Sequence, residues 1–359
     1  MDVADHFAAS YAQGRAKFLE AAKPFSVVSF EHPGRGPDGD RLFTDVAVVG
    51  EPSATKVLLA NSATHGVEGF CGSGALTAWL SSDGPKTMRP DVRAVIVHAI
   101  NPHGFAWLRR VNEDNVDLNR NFVDHDAPAP LNADYEALHG HLLPDDWTDD
   151  SPANISAALK SYSDTHGAFA MQAALSRGQY HYPDGVFYGG NAPVWSNRVF
   201  REIVSRWVAG ASHVTFLDFH TGLGPFGHAE LISKCEPNDP ELARLRSWFG
   251  NAVKTSAAGE STSPLLHGLI AHAIRDVMPA DTVSALTVEY GTYEVSEVLG
   301  SIIADNWLHA RGERQSDIGR GIVARVKEAF YPDDDDWREL VGVRAQQLIR
   351  RALEGLAGV

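Results

Sequence analysis

The strongest constraint on this chain is a series of short apolar runs, each closed by a turn and followed by a helical stretch. Val57–Asn61 (VLLAN) is almost wholly apolar. Val92–Ile100 (VRAVIVHAI), Val214–Phe219 (VTFLDF) and Val283–Glu289 (VSALTVE) are of the same kind. Strict alternation would mark a strand with one wet face; runs like these mark strands covered on both faces. Ser26–Phe30, Leu42–Val49 and Ala229–Ser233 read as further strands. Helices are expected over 4–22, ending before Pro24, and near 69–80, 193–208, 240–253 and 295–311. Strands alternating with helices imply an α/β fold, with a mixed, mostly parallel central sheet flanked by helices on both faces.

Residues 124–165 are rich in Asp, Pro, His and Ala, and 180–191 (YHYPDGVFYGGN) is loop-like and aromatic. Residues 124–190 therefore read as an insertion over the active-site side of a single domain spanning 1–359. No internal repeat is present. With 44% hydrophobic and 21% charged residues in 359, the chain can bury a large core and is not expected to be disordered. A net charge of −15 opposes binding to nucleic acid and to anionic membranes. Two cysteines, Cys71 and Cys235, cannot make a disulfide framework. The opening stretch has no apolar core of signal-peptide length, and no run is long enough for a membrane span. A cytoplasmic location is expected; oligomeric state is left open. The Asp333–Asp336 run reads as a solvated turn.

In sheets of this kind, ligands bind beyond the carboxyl ends of the strands. His65 and Glu68 lie just after Val57–Asn61, His220 ends Val214–Phe219, and Glu289 closes Val283–Val288. Two imidazoles and two carboxylates thus come from three strand ends. His65-x-x-Glu68 can present a nitrogen and a carboxylate oxygen to one metal ion from a tight turn, and zinc suits such ligands. H-x-x-E alone is common by chance, and a lone strand-end histidine is more often structural. Asp218, two residues before His220 on the same strand face, is placed to orient that ring. A carboxylate at Glu289, partly desolvated, would have a pKa raised towards values useful in proton transfer. In Asn101–Phe122, Arg110, Asn112, Asn119 and Arg120 gather donors suited to a carboxylate, because guanidinium meets carboxylate as a planar fork.

Taken in order, these segments resemble the zinc metallocarboxypeptidase (carboxypeptidase A-like) superfamily, most closely a poorly characterised bacterial branch. The resemblance rests on His65-Gly-Val-Glu68, Asn101-Pro-His-Gly104, Arg110-Val-Asn112, Val116-Asp-Leu-Asn-Arg-Asn-Phe122, Asp218-Phe-His220 and Thr287-Val-Glu289. It implies one zinc ion on His65, Glu68 and His220, and Glu289 as general base and acid. Arg110 would polarise the scissile carbonyl, and Asn119 and Arg120 would hold the substrate carboxylate. The implied activity is hydrolysis of an amide near a free carboxylate, in a small peptide or an N-acyl amino acid. A tyrosine that the superfamily often places about twenty residues before the glutamate has no counterpart in Ser263-Pro-Leu-Leu-His267-Gly268; His267 or Tyr188 are the candidates for its place. The rival readings are a small-molecule deacylase or esterase on the same zinc site, a serine hydrolase around Gly72-Ser73-Gly74, and a non-catalytic binding module.

Overall fold

The apolar runs become the middle of one eight-stranded sheet. The structure, a computed structural model, describes residues 2–359. Its strands are β1 (Ser26–Arg35), β2 (Arg41–Val49), β3 (Lys56–Asn61), β4 (Val92–His98), β5 (His213–Phe226), β6 (Ala229–Ser233), β7 (Val253–Thr255) and β8 (Val283–Gly291). Their order across the sheet is β1-β2-β4-β3-β5-β8-β6-β7. The β4-β3-β5-β8 centre is parallel throughout, while β1 with β2, β2 with β4, and β6 with β8 pair antiparallel. This is the mixed, mostly parallel α/β sheet that the unalternating runs imply.

Side-chain alternation sends neighbouring residues of each run into two different cores. Leu58, Ala60, Ala94, Ile96, Leu217, Phe219, Leu286 and Val288 pack on one face, with the helices Tyr11–Ala22, Gly69–Ser81, Val295–Ala310, Asp317–Phe330 and Asp335–Ala357. Val57, Leu59, Val95, Val97, Val214, Phe216, Val283 and Ala285 pack on the other, against the helix Trp195–Trp207. Both faces are therefore dry, and only strand ends are left for polar chemistry.

Several boundaries differ from the sequence reading, each for a local reason. The expected helix over 4–22 is a short turn at Ala4–His6, extended chain at Phe7, and a helix that starts at Tyr11, where Ser10 accepts from the Gln13 amide at 3.2 Å. β5 runs on to Phe226, bent by Gly222 and Gly224, both at positive φ. The helix expected to reach 253 stops at Phe249, at the positive-φ Gly250, and Val253 opens β7 instead. Asp333–Asp336 is a helix start: Asp334 accepts from the Trp337 amide at 2.7 Å, and Asp333 and Asp335 each pair with Arg338 at 2.6 Å. Residues 124–190 fold into three helices, Ala133–Leu142, Ser151–His166 and Ala168–Ser176, followed by irregular chain. Cys71 and Cys235 are free and buried, and no helix among the described residues is long and apolar enough to cross a membrane.

One contact fixes the loops at the top of the sheet. Gly66 packs so closely on Gly104 that a Cβ there would stand 2.1 Å from the Gly104 carbonyl carbon. The closeness lets the Gly66 and Val67 amides donate to the carbonyls of Arg110 and Arg109, at 2.9 and 2.8 Å. Gly66→Ala should therefore cost at least about 2–3 kcal/mol by overpacking a rigid backbone contact. Gly140→Ala, on an exposed helical site with nothing within 4 Å, should be neutral or slightly stabilising. Thermal unfolding of the two variants checks this; equal melting temperatures would refute the role given to the Gly66–Gly104 contact.

Candidate metal centre

Three chain segments converge at one end of β3, β5 and β8. His65 sits in the turn after β3, and Glu68 immediately precedes the helix Gly69–Ser81. His220 lies in β5, directly beside Glu289 in the parallel β5–β8 register. All four side chains are buried. His65 Nδ1 is 2.9 Å from Glu68 Oε1, His220 Nδ1 is 2.9 Å from Glu68 Oε2, and the two Nδ1 atoms are 3.1 Å apart. Among the described residues, His65, Glu68 and His220 thus form a group able to hold a metal ion.

Whether a cation fits there is decided by the far sides of the rings. His220 Nε2 is 2.6 Å from Asp218 Oδ2, and His65 Nε2 is 3.1 Å from Asp117 Oδ1. A carboxylate can only accept, so it selects the tautomer with the proton on Nε2. In those neutral tautomers each Nδ1 would turn a lone pair towards the other and towards the Glu68 oxygens. Three acceptors facing one another at such distances repel unless a positive charge lies between them. A tetrahedral ion with bonds of about 2.0–2.1 Å would hold its ligand atoms about 3.3 Å apart, close to the observed spacing. Burial opposes a charged His220 ring, but Asp218 and Glu68 outweigh it and hold its pKa well above the usual value. Burial likewise opposes ionisation of Glu68, yet the two histidines keep its pKa low. Surroundings that attract a proton to these atoms attract a metal cation as well.

Asp218 is itself held, accepting from Asn61 Nδ2 and Thr64 Oγ1 at 2.8 Å each. Asp117 is the corresponding anchor on the other side and was not singled out in the sequence. It is buried, accepts from the Asn119 amide at 2.9 Å and from Arg110 Nε at 3.2 Å, and is kept ionised against burial by Arg110, Arg120 and His65. Arg110 reaches across to Glu68 Oε1 at 2.8 Å, with Nη2 2.8 Å from His65 Nε2. Asp117 and Arg110 compete for that nitrogen, and with a cation at Nδ1 the protonated Nε2 suits only Asp117, leaving Arg110 Nη2 for another acceptor.

Glu289 accepts from the Leu223 amide at 3.1 Å. Burial, and then the charge on Glu68, push its pKa up to about 7. It lines one pocket with His65, Glu68, His220, Arg110, Asn119 and Arg120, so all seven candidate residues are brought together. Asn119 Oδ1 accepts from the Ile270 amide at 2.9 Å, which leaves its amide nitrogen to the pocket. Arg120 spends three donors on the carbonyls of Ser176 and Asn119 and keeps two. The glycine at 268 (φ +67) lets this backbone lie flat on Arg120, where a Cβ would stand 2.1 Å from the Arg120 carbonyl oxygen.

Neither candidate for the missing tyrosine lines the pocket: His267 is exposed, and Tyr188 is packed in the core. Phe187 occupies the wall instead, with the Arg110 and Arg120 guanidiniums 5.3 and 5.6 Å from its ring centre. Segment 124–190 also contributes Gln172, Leu175 and Ser176 to the wall. Ser73, the serine-hydrolase candidate, is buried in a helix, bonded to His98 at 3.0 Å and away from the pocket. Lys234, just past β6, enters the pocket beside Ile232, and sequence reasoning missed it.

A family described as a protein of unknown function, DUF2817, matches residues 7–344. The chain belongs to this family. No curated protein matches it. Among solved structures, it is similar to carboxypeptidase A from Helicoverpa armigera, at 14% identity and a TM-score of 0.46, covering 90% of this chain and 74% of that one. It is similar to the murein-tripeptide amidase MpaA from Escherichia coli O157, at 17% identity and 0.39, covering 83% and 97%. A succinylglutamate desuccinylase from a Silicibacter species matches at 15% and 0.40, covering 80% and 67%. Likenesses of this depth say nothing of activity.

The geometry makes its own demand on metal binding. Titrating metal-free protein with Zn2+ against a competing chelator should show one tight site, absent in His220→Ala. Asp218→Asn should keep the site but bind roughly 10–100-fold more weakly, the usual loss when a carboxylate behind a ligating histidine is removed. Wild-type affinity in His220→Ala would rule the centre out.

Proposed function

We propose that this protein is a zinc-dependent hydrolase that cleaves an amide bond beside a free carboxylate, in a small peptide or an N-acyl amino acid. The observation behind the proposal is the convergence of three acceptor atoms, on His65, Glu68 and His220, next to a buried carboxyl, Glu289, with a pKa raised to about 7. Zinc on those three side chains would supply a Lewis acid and a water of lowered pKa.

The remaining work falls to the chain's own groups. Glu289 is poised near neutrality, so it can take a proton from water and return it to the leaving nitrogen. Its raised pKa follows from burial and from Glu68, so donor and acceptor states are close in energy. Arg110, half inside the pocket, is the fixed positive charge nearest the metal ligands and would face the oxyanion. Asn119 Nδ2 and the two free donors of Arg120 would hold the substrate carboxylate, which fixes the scissile bond relative to Glu289.

Residues 124–190 are proposed to be an insertion into one hydrolase domain. The wall that Gln172, Leu175, Ser176 and Phe187 build favours a small substrate over a folded protein. Peptidase and deacylase chemistry would use the same centre, and a panel of dipeptides and N-acyl amino acids separates them.

Activity on that panel should vanish with chelator and return with Zn2+. Glu289→Gln should bind zinc as the wild type does but turn over at least about a thousandfold more slowly, the loss expected when a general base of this kind is removed. Turnover unchanged in the zinc-loaded variant, or activity indifferent to chelator, would defeat the proposal.

A further inference from the structure

The floor of the pocket holds a cation that the hydrolytic scheme does not use. Lys234 lies half-buried just beyond β6. Its Nζ donates to Ser256 Oγ at 2.9 Å and to Ser263 Oγ at 3.0 Å. Both partners are neutral, and among the described residues no carboxylate comes within ion-pair distance of it. An ammonium has three donors, so one remains. Glu289 and Glu230 act on it only from beyond ion-pair distance, and a cation withdrawn from water without a direct partner is costly unless an anion arrives to meet it. Burial, then the neighbouring Arg120, lower the lysine's pKa to about 8, so it is still protonated at neutral pH.

Sheet register places this cation relative to the reaction centre. β6 runs antiparallel to β8, with Glu230 opposite Glu289 and Ile232 opposite Thr287. β6 ends at Ser233, so Lys234 lies just past the last β6–β8 pair, on the side of that pair away from Glu289. Side chains two apart share a face, and Ile232, Lys234, Thr287 and Glu289 all line the pocket. An uncharged substrate side chain would leave the third donor of the ammonium unmet.

We propose that Lys234, held by Ser256 and Ser263, is a specificity residue for a second negative charge on the substrate. The group released would then be a dicarboxylic amino acid, with its α-carboxylate at Asn119 and Arg120 and its side-chain carboxylate at Lys234. This rests on the reaction proposed above for its orientation in the pocket. It adds the substrate class, amides of glutamate-like residues.

Binding tests it without requiring turnover. Calorimetry on zinc-loaded Glu289→Gln protein should show N-acetylglutamate binding roughly tenfold or more tightly than N-acetylglutamine. Adding Lys234→Met should abolish that ratio, and adding Lys234→Arg should preserve it. A merely structural lysine, bracing the serines, would weaken both ligands alike and leave the ratio unchanged. Equal affinities without the lysine substitution, a ratio that survives Lys234→Met, or no binding of either ligand would overturn the inference. Failure of the parent protein to hydrolyse any amide, with the ratio intact, would instead remove the hydrolase reading and leave the anion subsite standing.

Discussion

The centre of this molecule is organised by repulsion that has to be answered. Asp117 and Asp218 claim the outer nitrogens of His65 and His220, so both inner nitrogens are left as acceptors, pointing at each other and at Glu68. None of the three side chains that face one another, His65, Glu68 and His220, can relieve this by turning, because all are buried. In a dry site electrostatic terms are several-fold larger than in water. The arrangement calls for a positive charge, which a proton on His220 or a cation held by the three side chains would supply.

The fold supplies the rigidity that this arrangement needs. Asn61 and Asp218 are paired across β3 and β5, His220 and Glu289 across β5 and β8. His220 and Glu289 are thereby tied to the parallel centre of the sheet, whose side chains fill a dry core on either face. The 65–68 turn is tied separately, through the Gly66–Gly104 contact and two backbone bonds to Arg109 and Arg110. Arg110 is thus positioned by the same backbone that positions His65 and Glu68.

Much of this was legible in the sequence. The unalternating runs could only be strands covered on both faces, and the rule that ligands lie past the carboxyl ends of parallel strands singled out His65, Glu68, His220 and Glu289. Asp218 was legible too, since two residues on one strand share a face. What escaped has physical reasons. Asp117 acts through a ring 52 positions away, and nothing local in V-D-L-N-R-N-F shows that. Ser10 starts a helix four residues after a short turn ends, and composition over 4–22 reads as one helix. The C-terminal helices Asp317–Phe330 and Asp335–Ala357 carry no motif and were passed over, although they cover one face of the sheet.

Lys234 escaped for a different reason, and it shows where the strand-end rule stops. The rule holds for parallel strands, whose carboxyl ends share one edge of the sheet. β6 is antiparallel to β8, so its carboxyl end points down towards the start of β8 and away from Glu289. Lys234 there lines the pocket from the side of the start of β8, not from its end. The partners that keep its ammonium in place come from 22 and 29 residues further along the chain. In this mixed sheet, then, the carboxyl ends of the parallel strands gather His65, Glu68, His220 and Glu289 at the upper edge, and the antiparallel neighbour β6 brings Lys234 into the depth of the same pocket.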